Sequence, residues 1–417
     1  MRSRIRFLLG AVLFLFLAGA GQGAPLPRHP SSGKQHIARF LAWYWARPLQ
    51  AQGKAPIRFS PLEASLAPHA CGTCHTRQYA DWKTSRHHQA MGPGILGQLV
   101  DTPPHATSAR QSCLHCHAPL KKQAANLTAA MSALPPRPFA EIPGKNSIKP
   151  FYQQGVVCAA CHVRHNQRFG PPRRDGVLAA DTPELPHGGW ISTPAFEDSR
   201  FCAACHQFGA DGYALDGKRL ENTYEEWRAS RYARQGISCQ RCHMPDRRHL
   251  WRGIHDPAMV RKGLTIRTAG PVIQNGWVSA RLTVKSTWIG HDFPTYVTPK
   301  VILEIYQAGR DGQPLAGTLR QYIIGRQVSL DLTKEYRDTR LAPGQQIHID
   351  YRQPRRPAAA ALIFRVRVEP DAFYHRFYQA MLHQGQDLTA NGKRLLERAL
   401  KDSLASAFTV FQQRKPF

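Results

Sequence analysis

The pattern of apolar and polar positions changes character near residue 262. Beyond it, short runs alternate between apolar and polar residues and are separated by turns that contain Gly, Pro or Asn. A period of two is typical of half-buried β-strands. The runs cover residues 264–267, 278–284, 301–306, 322–330, 347–351 and 362–368. They predict a small antiparallel β-sandwich over residues 262–372.

Near the C-terminus the apolar period becomes helical. Apolar side chains recur there at intervals of three or four, as on one face of a helix. They are Leu395, Leu396, Ala399, Leu400, Leu404, Ala407, Phe408 and Phe411. We expect a helix here, within a C-terminal helical segment 373–417. Its apolar face is expected to pack on the sandwich or on the preceding domain.

At the N-terminus, three Arg precede an apolar run over residues 7–18, and small residues follow it. This is the pattern of a secretory signal peptide. The run is shorter than the roughly 20 residues that a membrane-spanning helix needs. We therefore predict a signal peptide over residues 1–24 and an exported, periplasmic protein. An uncleaved anchor is the alternative, and it is the one route to membrane association that this pattern offers.

Between these parts lies a segment without long periodic runs, in which a nine-residue pattern occurs twice. Tyr and Trp stand three residues apart on one helix face, and Ser-Arg follows on the next turn. The copies are Tyr79-Ala-Asp-Trp82-Lys-Thr-Ser85-Arg-His87 and Tyr224-Glu-Glu-Trp227-Arg-Ala-Ser230-Arg-Tyr232. The first copy ends on His and the second on Tyr.

The cysteines give this segment its chemistry. All 10 belong to five Cys-x-x-Cys-His motifs, which we number sites 1 to 5 in chain order. The motifs are Cys71-Cys74-His75, Cys113-Cys116-His117, Cys158-Cys161-His162, Cys202-Cys205-His206 and Cys239-Cys242-His243. This is the attachment motif of c-type haem. Its two thiols reach the two vinyl groups of one porphyrin, and the His binds the iron from one side.

Other uses of cysteine fit this count poorly. A structural zinc site takes two Cys pairs, or one Cys pair and a distant His pair. A thioredoxin-like pair occurs once and within a βαβ unit. No cysteine lies outside these motifs, so none is left over to form a disulfide framework. The sequence therefore predicts five haem c groups, with the ten cysteines as attachment residues and the five motif histidines as proximal iron ligands.

Each iron has a second axial position, which another side chain can fill. The sequence is rich in His and poor in Met around the motifs, so two His ligands and low reduction potentials are expected. We predict distal ligands at His87, His187, His255 and His165. Weaker candidates are His249, His88, His115, His105 and His291, the last on a loop of the predicted sandwich.

The chain is strongly basic, with 56 Lys and Arg against 28 Asp and Glu. Nucleic-acid binding is not expected, because the basic residues are scattered and an exported protein meets no nucleic acid. Haem propionates are the natural partners of many of these cations. The remaining positive charge predicts redox partner proteins with an acidic docking surface.

Several segments resemble multihaem cytochromes c related to the tetrahaem electron carrier of ammonia oxidation and, more distantly, the octahaem hydroxylamine oxidoreductases. They are Gln78-Tyr-Ala-Asp-Trp82 with Ser85-Arg-His87, the residues around His162 and His206, Asn222-Thr-Tyr-Glu-Glu-Trp227, Cys239-Gln-Arg-Cys-His-Met-Pro245 and Gly253-Ile-His255-Asp. The resemblance implies that His87 is a distal ligand. Tyr232 departs from it, and the absence of Cys-x-x-Cys-Lys excludes the lysine-ligated catalytic haem of pentahaem nitrite reductases.

Together these patterns predict a mainly α-helical and irregular multihaem cytochrome c domain over residues 25–261, wrapped around its haems and followed by the sandwich and the helical segment. Electron transfer along the haems is the predicted function, without catalytic residues. A haem-based reductase or oxidase of a small nitrogen or sulfur oxyanion, acting at one five-coordinate iron, is the alternative. A docking module, with the sandwich holding a partner, is a third possibility.

Overall fold

The computed structural model describes residues 33–103, 106–131, 149–175, 184–384 and 388–417. The predicted signal peptide and His105 lie outside these residues. None of the helices in the described ranges combines the length and the hydropathy needed to cross a membrane.

Short helices joined by loops make up residues 33–263. Several begin with Pro in the first turn, where the missing N–H costs nothing. The helices are α1 (Lys34–Tyr44), α2 (Pro61–Ala64), α3 (Pro68–Gly72), α4 (Thr76–Lys83), α5 (Pro93–Val100), α6 (Thr107–His117), α7 (Lys121–Met131), α8 (Cys158–His162), α9 (Arg200–His206), α10 (Thr223–Ala229), α11 (Arg231–Arg234), α12 (Cys239–His243) and α13 (Pro257–Gly263). Single 3₁₀ turns lie at Phe151–Gln153, Pro186–Gly188, Pro194–Glu197 and Pro245–Arg247.

Strands in this part are short. They are β1 (Val163–Arg164), β2 (Gln167–Gly170), β3 (Ile191–Ser192), β4 (Ala214–Leu215) and β5 (Lys218–Arg219). Its buried apolar residues fall into several separate clusters, one around Leu96 and Leu114, another around Leu66 and Val157, a third around Tyr44 and Phe201. The described polypeptide of residues 33–263 thus has no single apolar core of its own.

The part of the chain after α13 is built mainly of antiparallel strands, as the alternating pattern predicts. They are β6 (Leu264–Gln274), β7 (Trp277–Ser286), β8 (Lys300–Ala308), β9 (Arg320–Ile324), β10 (Arg326–Val328), β11 (Glu335–Asp338), β12 (Gln346–Pro354), β13 (Ala361–Glu369) and β14 (Phe408–Pro416). These strands form a first sheet of order β12-β7-β6, a second of order β14-β13-β8-β9 and the two-stranded pair β10-β11. Leu282 of the first sheet and Leu303 and Phe364 of the second belong to one core and are 0% exposed.

The C-terminal segment differs from the expectation. Its helices are α14 (Ala372–Gln384) and α15 (Ala390–Ala405), and the residues that follow form β14 instead of extending the helix to Phe411. The prediction is wrong there because β13 offers an open edge, along which residues 408–416 pair antiparallel. Thr409 and Val410 are β-branched and suit a strand, and Val410 is buried in the sandwich core.

Helix α15 packs on the haem-motif part of the chain. Its Leu395 shares an apolar cluster with Leu96 and Leu99 of α5. Its Leu396 packs against Gly97 of α5, where a Cβ atom would lie only 3.0 Å from the Leu396 side chain. Thr389, which caps α15, donates a hydrogen bond to Asp101 (2.7 Å). The C-terminal segment therefore ties the β-sheets to α5.

Candidate haem sites

Four of the five motif histidines end short helices, α6, α8, α9 and α12, and His75 caps the start of α4. Three of them direct Nδ1 at a backbone carbonyl: His117 at Ala90 (2.6 Å), His162 at Phe169 (2.8 Å) and His243 at Arg252 (2.6 Å). A carbonyl accepts, so Nδ1 carries the proton and Nε2 keeps a free lone pair. This is the tautomer that a metal-binding histidine needs.

Four motif histidines each face a second histidine. The ring centroids are 6.5 Å apart for His75 and His187, 6.3 Å for His206 and His87, 6.0 Å for His162 and His249, and 6.3 Å for His243 and His291. Two imidazole–metal bonds of about 2 Å on opposite sides of one ion place the centroids roughly 6 Å apart. The residues at sites 1, 3, 4 and 5 therefore fit a metal ion held between two imidazoles.

The facing histidines have the hydrogen bonds and the charge state of ligands. Nδ1 lies near a carbonyl oxygen in His187 (Gly189, 2.9 Å), His249 (Arg247, 3.0 Å) and His291 (Asp292, 2.8 Å). Burial, followed by the neighbouring motif histidines, lowers the pKa of His87 to about 3. Burial also lowers the pKa values of His162 and His243 to about 4. Such rings stay neutral at physiological pH, as an iron ligand must.

Two predicted distal ligands lie elsewhere. The Nε2 atom of His255 is 3.0 Å from Oδ1 of Asp371, so the nitrogen that would bind iron contacts a carboxylate beside α14 instead. His165 stacks on Trp43 with centroids 6.2 Å apart. In the structure, neither of these two rings faces a motif histidine. His249 and His291, which the sequence favoured less, occupy those positions.

His88 and His115 also have contacts of their own. The ring of His88 packs edge-on against Trp82 with centroids 4.3 Å apart. His115 lies beside Cys116 and Cys205, all three ligand atoms being within 4.8 Å of one another. Both thiols belong to haem motifs, so we propose no separate metal site there.

Asp81 fixes the loop that carries His249. It is 5% exposed, pairs with Arg248 (2.5 Å) and accepts a hydrogen bond from the backbone N–H of His249 (3.1 Å). The hydrogen bond from Arg248, the largest contribution, lowers the pKa of Asp81 below its ordinary value. Asp81 stands next to Trp82 in the first repeat copy, but its link to His249 is visible only in the structure.

The repeat has the same backbone geometry in both copies. Trp82 Nε1 donates to the carbonyl of Val156 (2.8 Å), and the Val156 N–H donates to the carbonyl of His87 (2.9 Å). Trp227 Nε1 donates to Ile237 (2.9 Å), whose N–H donates to the carbonyl of Tyr232 (2.9 Å). Val156 and Ile237 each precede the first cysteine of a motif by two positions. Each copy therefore docks on a haem motif, the first on site 3 and the second on site 5.

This equivalence explains Tyr232. Docked on site 3, the first copy turns His87 toward His206 of site 4, the next motif along the chain. The second copy docks on the last motif, so no later motif exists for its side chain to reach. Tyr232 instead donates a hydrogen bond to the carbonyl of Thr287 after β7 (2.6 Å). The described contacts of Tyr232 therefore do not indicate an iron with a free axial position.

Comparisons with known proteins bear on the fold of this chain. Residues 70–134 match the family model described as cytochrome c554 and c-prime. The structure of a penta-heme cytochrome c552 from Thermochromatium tepidum is similar, with a TM-score of 0.53 and 18% identity, over 86% of this chain and 100% of that one. The chain has the fold of a multihaem cytochrome c. No curated protein matches it significantly in sequence.

Site 2 differs from the other four. Within the part of the chain that the structure describes, no histidine ring faces His117. Its surroundings include the partly buried residues Glu221, Tyr296 and Tyr374. Burial raises the pKa of Glu221, and it also raises the pKa values of Tyr296 and Tyr374, whose electrostatic neighbours include the site 2 thiols. Two tyrosine hydroxyls and a carboxyl group with a raised pKa therefore lie near this motif.

Positive charge surrounds site 1. A cavity of about 700 Å³ lies beside His187 and is lined by Arg58 and Arg168, among others. The Arg168 guanidinium hydrogen-bonds the Glu63 carbonyl and is an electrostatic neighbour of Cys71. Two guanidinium groups in such a cavity suit the two carboxylates of a haem.

Proposed function

We propose that this protein is a periplasmic electron-transfer cytochrome with five covalently bound haems, four of which have two histidine ligands among the described residues. The four pairs of facing imidazoles carry the proposal. An iron with both axial positions filled changes oxidation state with little movement of atoms and leaves no site for a substrate. The proposed distal ligands are His187 at site 1, His249 at site 3, His87 at site 4 and His291 at site 5.

Contacts between sites support a continuous relay. Thiols of different motifs are electrostatic neighbours at Cys71 and Cys158, at Cys116 and Cys205, and at Cys202 and Cys239. Sites 1 and 3, sites 2 and 4, and sites 4 and 5 are therefore neighbours.

Trp251 joins sites 3 and 4. Its ring lies 5.1 Å from that of His249 and 4.8 Å from that of His87, measured between centroids. We infer the order 1-3-4-5 for the main relay, with site 2 adjoining site 4. The basic surface is proposed to receive acidic redox partners, since complementary charge speeds encounter.

The haem number is tested by intact mass. Fully matured protein, denatured in acid, is expected to carry the mass of five haems, because five complete motifs exist and thioether bonds survive denaturation. Replacing both cysteines of one motif by Ala is the control and should remove one haem. A mass corresponding to four haems or fewer in matured wild-type protein would contradict the proposal.

The second candidate function, reduction or oxidation of a small nitrogen or sulfur oxyanion, has one observation in its favour. His117 faces no partner ring among the described residues, and the tyrosines and the glutamate near site 2 could supply protons to a substrate. An enzyme of this kind needs one iron with a free axial position.

Carbon monoxide distinguishes the two functions, because it binds readily only to reduced iron with a free or weakly held position. For the carrier we expect no stoichiometric spectral change, which requires that a ligand from outside the described residues, such as the candidate His105, fills the second axial position at site 2. Binding at one haem that changes in Tyr374→Phe would favour the enzyme and place it at site 2. Tyr232→Phe is the matched control and should behave as wild type, because the Tyr232 hydroxyl bonds to Thr287 (2.6 Å).

A further inference from the structure

The β6–β7 hairpin ends in an exposed apolar tip. Asn275 and Gly276 form its two-residue turn with φ of 49° and 74°, the left-handed values of a tight hairpin turn. Beside the turn, Val272 is 59% exposed, Ile273 42% and Trp277 42%. Single exposed apolar residues are common, but here three lie within six positions at one end of a sheet.

The strand register places two of these side chains together. Trp277 pairs with Gln274, and Ser279 pairs with Val272, so Val272 and Trp277 are diagonal neighbours on one face. Ile273 points to the opposite face, because side chains alternate along a strand. The tip therefore presents apolar surface on both sides of the hairpin, as a wedge does.

Positive charge surrounds this wedge. Residues 264–286 and 351–368 contain eight Lys and Arg and no Asp or Glu, although Arg281, Arg365 and Arg367 pair with acids outside these ranges. The guanidinium of Arg352 lies 5.2 Å from the centroid of the Trp277 ring, and the backbone N–H of Arg355 donates to Gly276 (2.8 Å). The adjacent acid, Asp350, already pairs with Arg281 (2.6 Å).

We propose that this tip docks the protein on an anionic lipid bilayer. Apolar side chains, with a Trp among them, suit the boundary between headgroups and acyl chains. Arginines around them suit lipid phosphates. Three side chains are too few for a specific protein interface, which takes some 20 residues a side, whereas shallow insertion into a bilayer needs no more. This docking is independent of any N-terminal anchor and of the number of haems.

Vesicle sedimentation of the haem-loaded mature protein tests the proposal. We expect binding to vesicles of phosphatidylcholine mixed with phosphatidylglycerol, read as haem absorbance in the pellet, and much weaker binding to phosphatidylcholine alone. The triple variant Val272→Ser, Ile273→Ser, Trp277→Ser should bind about tenfold more weakly, because it removes the inserted surface. The matched control Tyr336→Ser, Leu404→Ser alters residues that are 63% and 60% exposed elsewhere and should bind as wild type.

A second pair of variants tests the charge. Arg352→Gln with Arg355→Gln should weaken binding to the mixed vesicles more than Lys393→Gln with Lys401→Gln, which removes the same charge from exposed positions of α15. Equal binding by the triple variant and wild type would show adsorption through net charge alone and overturn the proposal. Absence of wild-type binding to the mixed vesicles would overturn it as well.

Discussion

Replacing His249 by Ala is expected to convert one low-spin haem into a high-spin haem. The His249 ring lies 6.0 Å from that of His162, and its Nδ1 is engaged by the carbonyl of Arg247 (3.0 Å), so its Nε2 is the proposed distal nitrogen of site 3. Without this ring the iron keeps one protein ligand. Electron paramagnetic resonance of the oxidised protein should show one low-spin signal fewer and a new high-spin signal.

Two other histidines are matched controls for this change. His255→Ala and His165→Ala should leave the number of low-spin haems unchanged, because His255 pairs with Asp371 and His165 stacks on Trp43. Carbon monoxide should bind to reduced His249→Ala protein and not to these two variants. A low-spin haem lost in His255→Ala and kept in His249→Ala would restore the assignment that the sequence alone favoured.

The proximal half of each site could be predicted from sequence because its chemistry is local. Two thiols and an imidazole within five residues satisfy one edge and one face of a porphyrin, whatever the rest of the chain does. His87 could also be predicted, from its spacing to Trp82 and Ser85 beside the first motif and from the family resemblance. The ring of His87 does face a motif histidine, His206.

Facing histidines that tertiary packing brings together could not be predicted in this way. His291 lies on the loop between β7 and β8, and only the docking of that loop against the haem-motif helices brings its ring to His243. The sequence favours His255 because histidines are dense in this segment, and the structure turns its ring toward Asp371 instead.

The same distinction applies to the β-sheets and the C-terminal segment. Alternation predicted the strands well, because one face of each sheet is buried in a shared core. The period of Phe408 and Phe411 suggested a helix, but a period of three also fits a strand interrupted by a bulge. The register of β14 shifts between Val366 and Arg367 of its partner, which is such an irregularity.

Replacing Arg340 by Met is expected to destabilise the protein by about 3–5 kcal/mol, the usual cost of leaving a buried charge without its partner. Arg340 and Glu226 pair at 2.7 Å, with side chains 9% and 6% exposed. Although burial opposes its charge, Asp338 and Glu226 raise the pKa of Arg340 above the ordinary value. Denaturant unfolding measures the loss. Arg281→Met, which breaks the exposed pair with Asp350, is the control and should change stability little.

The Arg340 variant should also disturb one haem site in particular. Glu226 accepts hydrogen bonds from Thr295 Oγ1 (2.6 Å) and from the Asp292 N–H (3.3 Å), so the Arg340–Glu226 pair holds the loop that carries His291. We expect the low-spin signal of site 5 to broaden or shift while those of sites 1 and 3 stay unchanged. Glu226→Gln added to Arg340→Met removes the unpaired buried charge and should recover part of the stability. It should not restore the site 5 signal, because the loop still lacks the anchored carboxylate. Full recovery of that signal would show that the pair stabilises the fold without positioning His291.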